Sequence, residues 1–241
     1  MLLYIIRHGE PDYASDSLTG NGVRQAAALA ERFSSHGLEE IYVSPLGRAV
    51  QTARPTCDRL GLPYRIEEWM SEDLFWNELS AVDGNGERQW SFGCQNTMLL
   101  GEENPDLNAW HTYPAFSSCK AAEKGYRRIA DCSDAFLAGL GYKRDGRLYR
   151  TAAPNNRRIA AFCHHGVGTA WLSHLLSIPP NIFWSGFDIA HSSVTILEFK
   201  NNPDGQTAPQ CVCLSDISHI YKNNLPINAV IGFQEGRRQD P

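Results

Sequence analysis

Near the start of the chain Arg7, His8, Gly9 and Glu10 follow the apolar run Leu2 to Ile6. Arginine brings a fixed cation whose planar fork of donors suits phosphate oxygens. A neutral histidine brings a nitrogen nucleophile at physiological pH. Two later stretches carry the same group types. Arg48 lies within Ser44-Pro45-Leu46-Gly47-Arg48-Ala49-Val50-Gln51-Thr52-Ala53, and a histidine pair within Phe162-Cys163-His164-His165-Gly166-Val167. Together these groups could capture a phosphoryl group and attack it through nitrogen. Alone, Arg7 and His8 fit a surface ion pair and a satisfied turn histidine equally well.

The elements that must position them can be read from periodicity. Leu2 to Ile6 is a short apolar, β-favouring run that stops at a glycine, the pattern of a buried strand. Thr19 is an N-cap candidate for a helix whose apolar face is Val23, Ala26, Ala27, Ala30 and Phe33, with Gly37 at its stop. Ile41 to Val43 reads as a second strand. Ser44 and Pro45 read as cap and first residue of a second helix lined by Val50, Ala53, Cys57 and Leu60. Tyr64 to Ile66 is a third strand. From about Ser71 to Gly146 this rhythm breaks. Trp76, Trp90 and Trp110 fall in this stretch, expected to form a small core of their own, and one helix is expected from about Ser118 to Leu140. The rhythm returns with Ile159 to Cys163, a helix through Trp171 and Leu175, and strands over Ser193 to Phe199 and Gln210 to Leu214. The tail from about Gln234 reads as frayed.

Alternating strands and helices predict an α/β fold: three layers, α/β/α, with a mainly parallel sheet and a mostly helical or irregular insertion. In such sheets ligands bind at the carboxyl ends of the strands. Arg7-His8, Arg48 and His164-His165 all fall at such ends, and Arg48 has a helix N-terminus beside it.

Bulk properties narrow the function. The chain has 241 residues, 42% of them hydrophobic and 20% charged, enough for one large domain with a packed core. A net charge of −5 argues against nucleic acid as partner. It leaves room for a small anion held by a local basic cluster. The opening apolar run is too short for a signal peptide, with its positive charges after it. No stretch approaches a membrane span. Seven cysteines, an odd number, suit reduced thiols and a cytoplasmic location.

The three motifs, in this order and approximate spacing, resemble the histidine phosphatase superfamily, also called phosphoglycerate-mutase-like. The resemblance covers roughly residues 1–72 and 156–199, with Leu18-Thr19, Gly22 and Gln25-Ala26 as further matches. It implies one domain over residues 1–241, with an insertion, or cap, at about 73–146. It implies His8 as nucleophile, forming a phosphohistidine, and Arg7 and Arg48 as ligands of the phosphoryl oxygens. A second histidine would complete the clamp. Aligning Gly166-Val167 with the end of the family motif selects His164, the preferred choice; pairing His with the following Gly selects His165. The resemblance also implies a carboxylic acid just after the third strand, to protonate the leaving oxygen and then activate water. Glu67, Glu68, Glu72, Asp73 and Glu78 are candidates, and Glu72 fits the position best. No metal or other cofactor is expected.

One departure bears on activity. Mutases and related bisphosphatases continue the opening motif with Glu-Thr-x-x-Asn, whereas here Glu10 is followed by Pro11-Asp12-Tyr13-Ala14. The basic, Pro-rich stretch of mutase insertions is also missing. The expected function is therefore a metal-independent phosphomonoester hydrolase acting on a small phosphate ester. The alternatives are a phosphoglycerate mutase and a non-catalytic phosphate-binding protein. Arg127, Arg128, Lys143 and Arg144 could form a basic wall, though a solvated helix face is the expectation for them. The other histidines, His36, His111, His174, His191 and His219, read as surface or packing residues.

Overall fold

In the computed structural model of the chain, residues 1–82, 86, 88–91, 108–113, 116 and 119–226 are described. The first half runs β1 (Leu2–Arg7), β2 (Pro11–Asp12), β3 (Ser17–Leu18), α1 (Gly20–His36), β4 (Glu40–Val43), α2 (Gly47–Leu60) and β5 (Tyr64–Ile66). Helix α3 (Glu72–Leu79), the pair β6 (Ser80–Val82) and β7 (Arg88–Trp90), and α4 (Ala122–Gly139) follow. Then come the hairpin β8 (Lys143–Asp145) and β9 (Leu148–Arg150), β10 (Arg158–Cys163), α5 (His165–Leu176) and α6 (Pro180–Gly186). The last elements are β11 (Val194–Glu198), β12 (Gln206–Thr207), β13 (Gln210–Asp216) and α7 (Ser218–Lys222). Ser118, the expected helix start, and the tail from Gln234 lie outside the described residues.

The central sheet has six strands in the order β13-β11-β1-β10-β4-β5. Strands β1, β10, β4 and β5 are parallel, while β11 and β13 run antiparallel to their neighbours. This is the mainly parallel α/β architecture expected from the alternation of elements. Alternate residues of β1 face opposite layers. Tyr4 and Ile6 join Leu29, Phe33, Ile41 and Ala53 under α1 and α2. Leu3 and Ile5 join Ile129, Leu137, Trp171 and Leu172 under α4 and α5.

Register sets where the site lies. Arg7 pairs with Cys163, and Phe162 pairs with Val43. The three parallel strands therefore end at one level, and the turns that follow them meet. Because β11 is antiparallel to β1, with Ile6 opposite Val194, its beginning arrives at that same edge.

Three local expectations are corrected, and one short helix is additional. Helix α2 begins at Gly47, with Leu46 in the cap position and no side-chain cap. Ser44 lies two residues before that cap, and its hydroxyl is engaged by His164. Val23 is 54% exposed and lies off the buried face of α1, whose inner residues are Gly22, Gln25, Ala26, Leu29, Ala30 and Phe33. Pro180 opens a further helix, α6, where Pro at the first turn is permitted. Finally, Trp110 does not belong to a separate small core. It packs edge-on against Phe116, Tyr126 and Trp184, within the same cluster as Trp171 and the sheet.

Candidate active site

The first motif is held by side chains of the helices that follow it. The backbone N–H of His8 donates to Cys163 O at 3.0 Å, and its carbonyl accepts from Ser192 N at 2.9 Å. Gly9 N donates to Thr52 Oγ1 and Glu10 N to Gln25 Oε1. The Glu10 carboxylate accepts from Thr19 Oγ1 and Asn21 Nδ2. Thr19 also caps α1, accepting from Gly22 N. Gly22 is needed for close approach: a Cβ there would lie 2.2 Å from the Glu10 carbonyl oxygen. The motif of α2 works the same way, with Thr52 on Gly9 and Gln51 accepting from Leu18 N.

His8 is buried, and its Nδ1 lies 2.7 Å from the Gly9 carbonyl oxygen. A carbonyl only accepts, so Nδ1 carries the proton and the Nε2 lone pair is available. Burial, then the neighbouring His164 and Arg7, hold the His8 pKa well below the ordinary value. This imidazole is therefore neutral at physiological pH, the state a nucleophile needs.

His164 sits at the cap of α5 with its ring centroid 5.0 Å from that of His8. Its Nε2 lies 2.7 Å from Ser44 Oγ. Burial, with Arg48 and Arg7 nearby, pushes its pKa well down. His165, one residue on, turns away to Asp188, its Nε2 2.7 Å from Oδ1. Of the adjacent pair, His164 is thus the one beside His8.

Arg48 is almost fully buried, its Nη1 held at 2.6 Å by Asp16 Oδ1. Arg7 donates through Nη1 to Ile189 O and through Nη2 to His191 Nε2, both at 2.7 Å. Beside His8, and among the described residues, Arg7 Nε, Arg48 Nε and His164 Nδ1 are buried without a partner; the first two are donors, and Nδ1 is one when His164 Nε2 accepts from Ser44 Oγ. Orphan buried donors are costly and call for an explanation. Donors of this kind suit an anion with several acceptor oxygens.

Glu72, at the first turn of α3, is buried and accepts from Gly166 N at 2.9 Å and Val167 N at 3.2 Å. Burial is the largest influence on it and raises its pKa above the usual carboxylate value, against the pull of these two bonds. A carboxyl of this kind can hold a proton nearer neutrality. Glu67 accepts from Trp69 Nε1, and Glu78 is paired with Arg128. Asp73 is on the exposed side of α3.

Other sequence expectations sort as follows. Arg128 is tied to Glu78, Arg127 to Glu123, and Arg144 to Tyr149 and the end of α5, so they buttress helices rather than line a basic wall. His174 pairs with Asp134 and His219 with Ser192, as packing histidines do. His191 overturns its expectation. It contacts Arg7, and its ring centroid lies 5.5 Å from His8. The signal was the strand after it: once that strand is antiparallel to β1, the residue three before it lands on the edge that carries His8.

Among the described residues no group of three His, Cys, Asp or Glu side chains is placed to hold a metal ion, and no helix is long and apolar enough to cross a membrane. The site's donors are guanidinium and imidazole, which suit an anion.

Known proteins resemble this chain in sequence and in fold. Residues 3–79 match the family model described as histidine phosphatase superfamily (branch 1). A probable phosphoglycerate mutase GpmB of Enterobacter sp. (strain 638) is 33% identical over 112 residues, 42% of this chain and 51% of the relative. A putative phosphoserine phosphatase 2 of Hydrogenobacter thermophilus is 28% identical over 144 residues, 54% of this chain and 64% of the relative. The chain thus spans about half the length of the mutase relative it matches. Among solved structures, a phosphoserine phosphatase of Entamoeba histolytica in complex with phosphoserine superposes with a TM-score of 0.61 at 20% identity, covering 91% of this chain and 98% of that one. A mycobacterial glucosyl-3-phosphoglycerate phosphatase gives 0.58 at 16% identity, covering 89% and 98%. At these identities the structures establish the fold.

Proposed function

We propose that this chain is a member of the histidine phosphatase superfamily and a metal-independent phosphomonoester hydrolase that works through a phosphohistidine on His8. The observation that carries the reading is the set of three partnerless buried nitrogens, on Arg7, Arg48 and His164, gathered around a neutral histidine whose Nε2 is open. Phosphoryl transfer needs little else: positioned reactants and charge stabilisation of the equatorial oxygens.

In the first step His8 Nε2 attacks phosphorus while the bond to the ester oxygen breaks. Glu72 gives its proton to the departing alkoxide. Arg7 and Arg48 bind the equatorial oxygens, and His164 donates through Nδ1, its pKa rising once a dianion replaces the empty pocket. In the second step the Glu72 carboxylate takes a proton from water, the water oxygen attacks phosphorus, and the nitrogen–phosphorus bond breaks. His8 and protonated Glu72 are restored and inorganic phosphate leaves.

The substrate class is a small phosphate ester, in line with neighbours named for phosphoserine and glucosyl-3-phosphoglycerate. The elements between about 73 and 146 act as a cap on a single domain. The reading places the protein in the cytoplasm. A mutase is the second reading, favoured by relatives named phosphoglycerate mutase. The test is phosphate release from a panel of esters, with a chelator present, by wild type and His8→Ala. Release by wild type alone supports the hydrolase; equal release by both overturns it. A requirement for a bisphosphorylated primer, with phosphate retained on His8, would select the mutase.

A further inference from the structure

The loop between β2 and β3 brings two side chains to the pocket that no motif accounts for. Tyr13 is 66% exposed, yet its ring lies over the Arg48 guanidinium, 5.4 Å from carbon to centroid. The same ring meets His8 edge-on at 6.5 Å. Its phenol lies within electrostatic reach of the Arg7 guanidinium. One exposed aromatic therefore lies beside both arginines and the nucleophile candidate.

The loop that carries it is fixed rather than draped. Ala14 N and Ser15 Oγ both bond to the Asp12 carboxylate. Asp16 takes a left-handed backbone, φ 47°, that side chains seldom adopt. In that conformation its carboxylate accepts from Arg48 Nη1 and from Gly47 N, each at 2.6 Å. Gly47 allows the approach, since a Cβ there would lie 2.3 Å from the Asp16 carbonyl oxygen. The loop is thereby clipped to the start of α2 at one end, with Tyr13 held over the pocket at the other.

We propose that Tyr13 is a substrate-contacting residue that roofs the pocket and donates its hydroxyl proton to a phosphoryl oxygen shared with the arginines. The proposal rests on the phosphoryl-site reading above. Its chemistry follows from the contacts. A phenol O–H rotates freely to donate, and a phosphoryl oxygen held by the arginines is the acceptor this pocket is built to receive. The ring meanwhile shields one face of Arg48 from water, which strengthens that guanidinium's hold on an anion.

The test is calorimetric titration of inorganic phosphate into wild type, Tyr13→Phe and Tyr13→Leu, with kcat and KM of the same proteins on an aryl phosphate. Tyr13→Phe keeps the ring over Arg48 and removes only the hydroxyl. It is expected to bind phosphate about tenfold more weakly, the scale of one charge-assisted hydrogen bond, with an unchanged melting temperature in phosphate-free buffer. Tyr13→Leu should lose several-fold more. Equal phosphate affinity in wild type and Tyr13→Phe overturns the proposal, as does weakening confined to Tyr13→Leu. Phosphate binding without turnover would sink the hydrolase reading and leave the Tyr13 comparison valid; a wild type that binds no phosphate overturns both.

Discussion

The rings of His8 and His164 stand 5.0 Å apart, centroid to centroid, and both are held neutral by burial. His219, buried behind Ser192, is likewise lowered, to about 4. The consequence for stability has a definite sign. As pH falls below the unfolded value near 6.5, the unfolded chain takes up a proton on each histidine and the folded chain does not. Unfolding therefore becomes easier as pH falls, by at most about 1.4 kcal/mol per pH unit per histidine, until the lowered folded values are reached. Glu72 contributes in the opposite direction, because its raised folded pKa favours the native state as pH falls. With three histidines against one carboxyl, the urea midpoint is expected to drop between pH 6.5 and 5. Added phosphate should reduce the drop, since a bound dianion favours charged His164. A midpoint unaffected by phosphate at pH 5 would contradict this account.

Glu72 and His8 together set the pH dependence of turnover. Attack needs His8 deprotonated, which holds above its lowered pKa. Leaving-group protonation needs Glu72 protonated, which holds below its raised pKa. In kcat/KM, which reports the free enzyme, activity should rise on the acid side of neutrality and fall as pH increases through the Glu72 value. Glu72→Gln should lower kcat by about 10²- to 10⁴-fold and remove the alkaline limb for esters with poor leaving groups. An aryl phosphate with a good leaving group should be affected least. Equal losses on all esters would show that Glu72 holds the turn at Gly166 rather than supplying the proton.

How far the site was legible in the sequence depends on what kind of relationship each residue has. Arg7, His8, Arg48 and His164 lie directly after parallel strands or in the helix that follows, so the rule about carboxyl ends reached them. Thr19, Gln25, Gln51 and Thr52 hold the backbone of those turns, and their spacing within helices carries that information. His191 and Asp16 were not legible. The first depends on the direction of β11, which strand periodicity does not encode. The second depends on a left-handed residue in a loop, fixed by a contact with Gly47 across the fold. The exposure of Val23 shows the same limit from the other side: a helical face can be counted, but which edge of it meets the sheet is decided by packing.

His191 is expected to act through Arg7. Its Nε2 accepts from Arg7 Nη2 at 2.7 Å, which fixes the guanidinium plane while Ile189 O holds the other arm. His191→Ala should leave melting temperature within a few degrees and lower kcat/KM by about tenfold, the loss of one hydrogen bond to a charged group. His191→Asn, which can still accept from Arg7, should recover most of it. If His191→Asn is as impaired as His191→Ala, the imidazole acts on substrate or His8 rather than on Arg7.

Gly47 offers the sharpest test of how Arg48 is held. A Cβ at this position would sit 2.3 Å from the Asp16 carbonyl oxygen, a backbone atom that cannot swing aside. Gly47→Ala must therefore push the loop at Asp16 away from α2, breaking both bonds its carboxylate makes, to Gly47 N and Arg48 Nη1. Asp16→Ala removes those bonds without moving the backbone. It should lower stability by about 1 kcal/mol: Asp16 is part-exposed at a helix N-terminus, but Arg48 is only 7% exposed and loses its carboxylate partner. Gly47→Ala should cost more, on the order of 1–3 kcal/mol from the clash. Both should raise KM for phosphate esters, with Gly47→Ala the larger, since it also displaces the loop that carries Tyr13. The comparison reads urea midpoints and KM on the two purified variants. Should Gly47→Ala match wild type in KM while Asp16→Ala does not, Arg48 would be oriented by the carboxylate alone, and the position of the loop would have no part in binding.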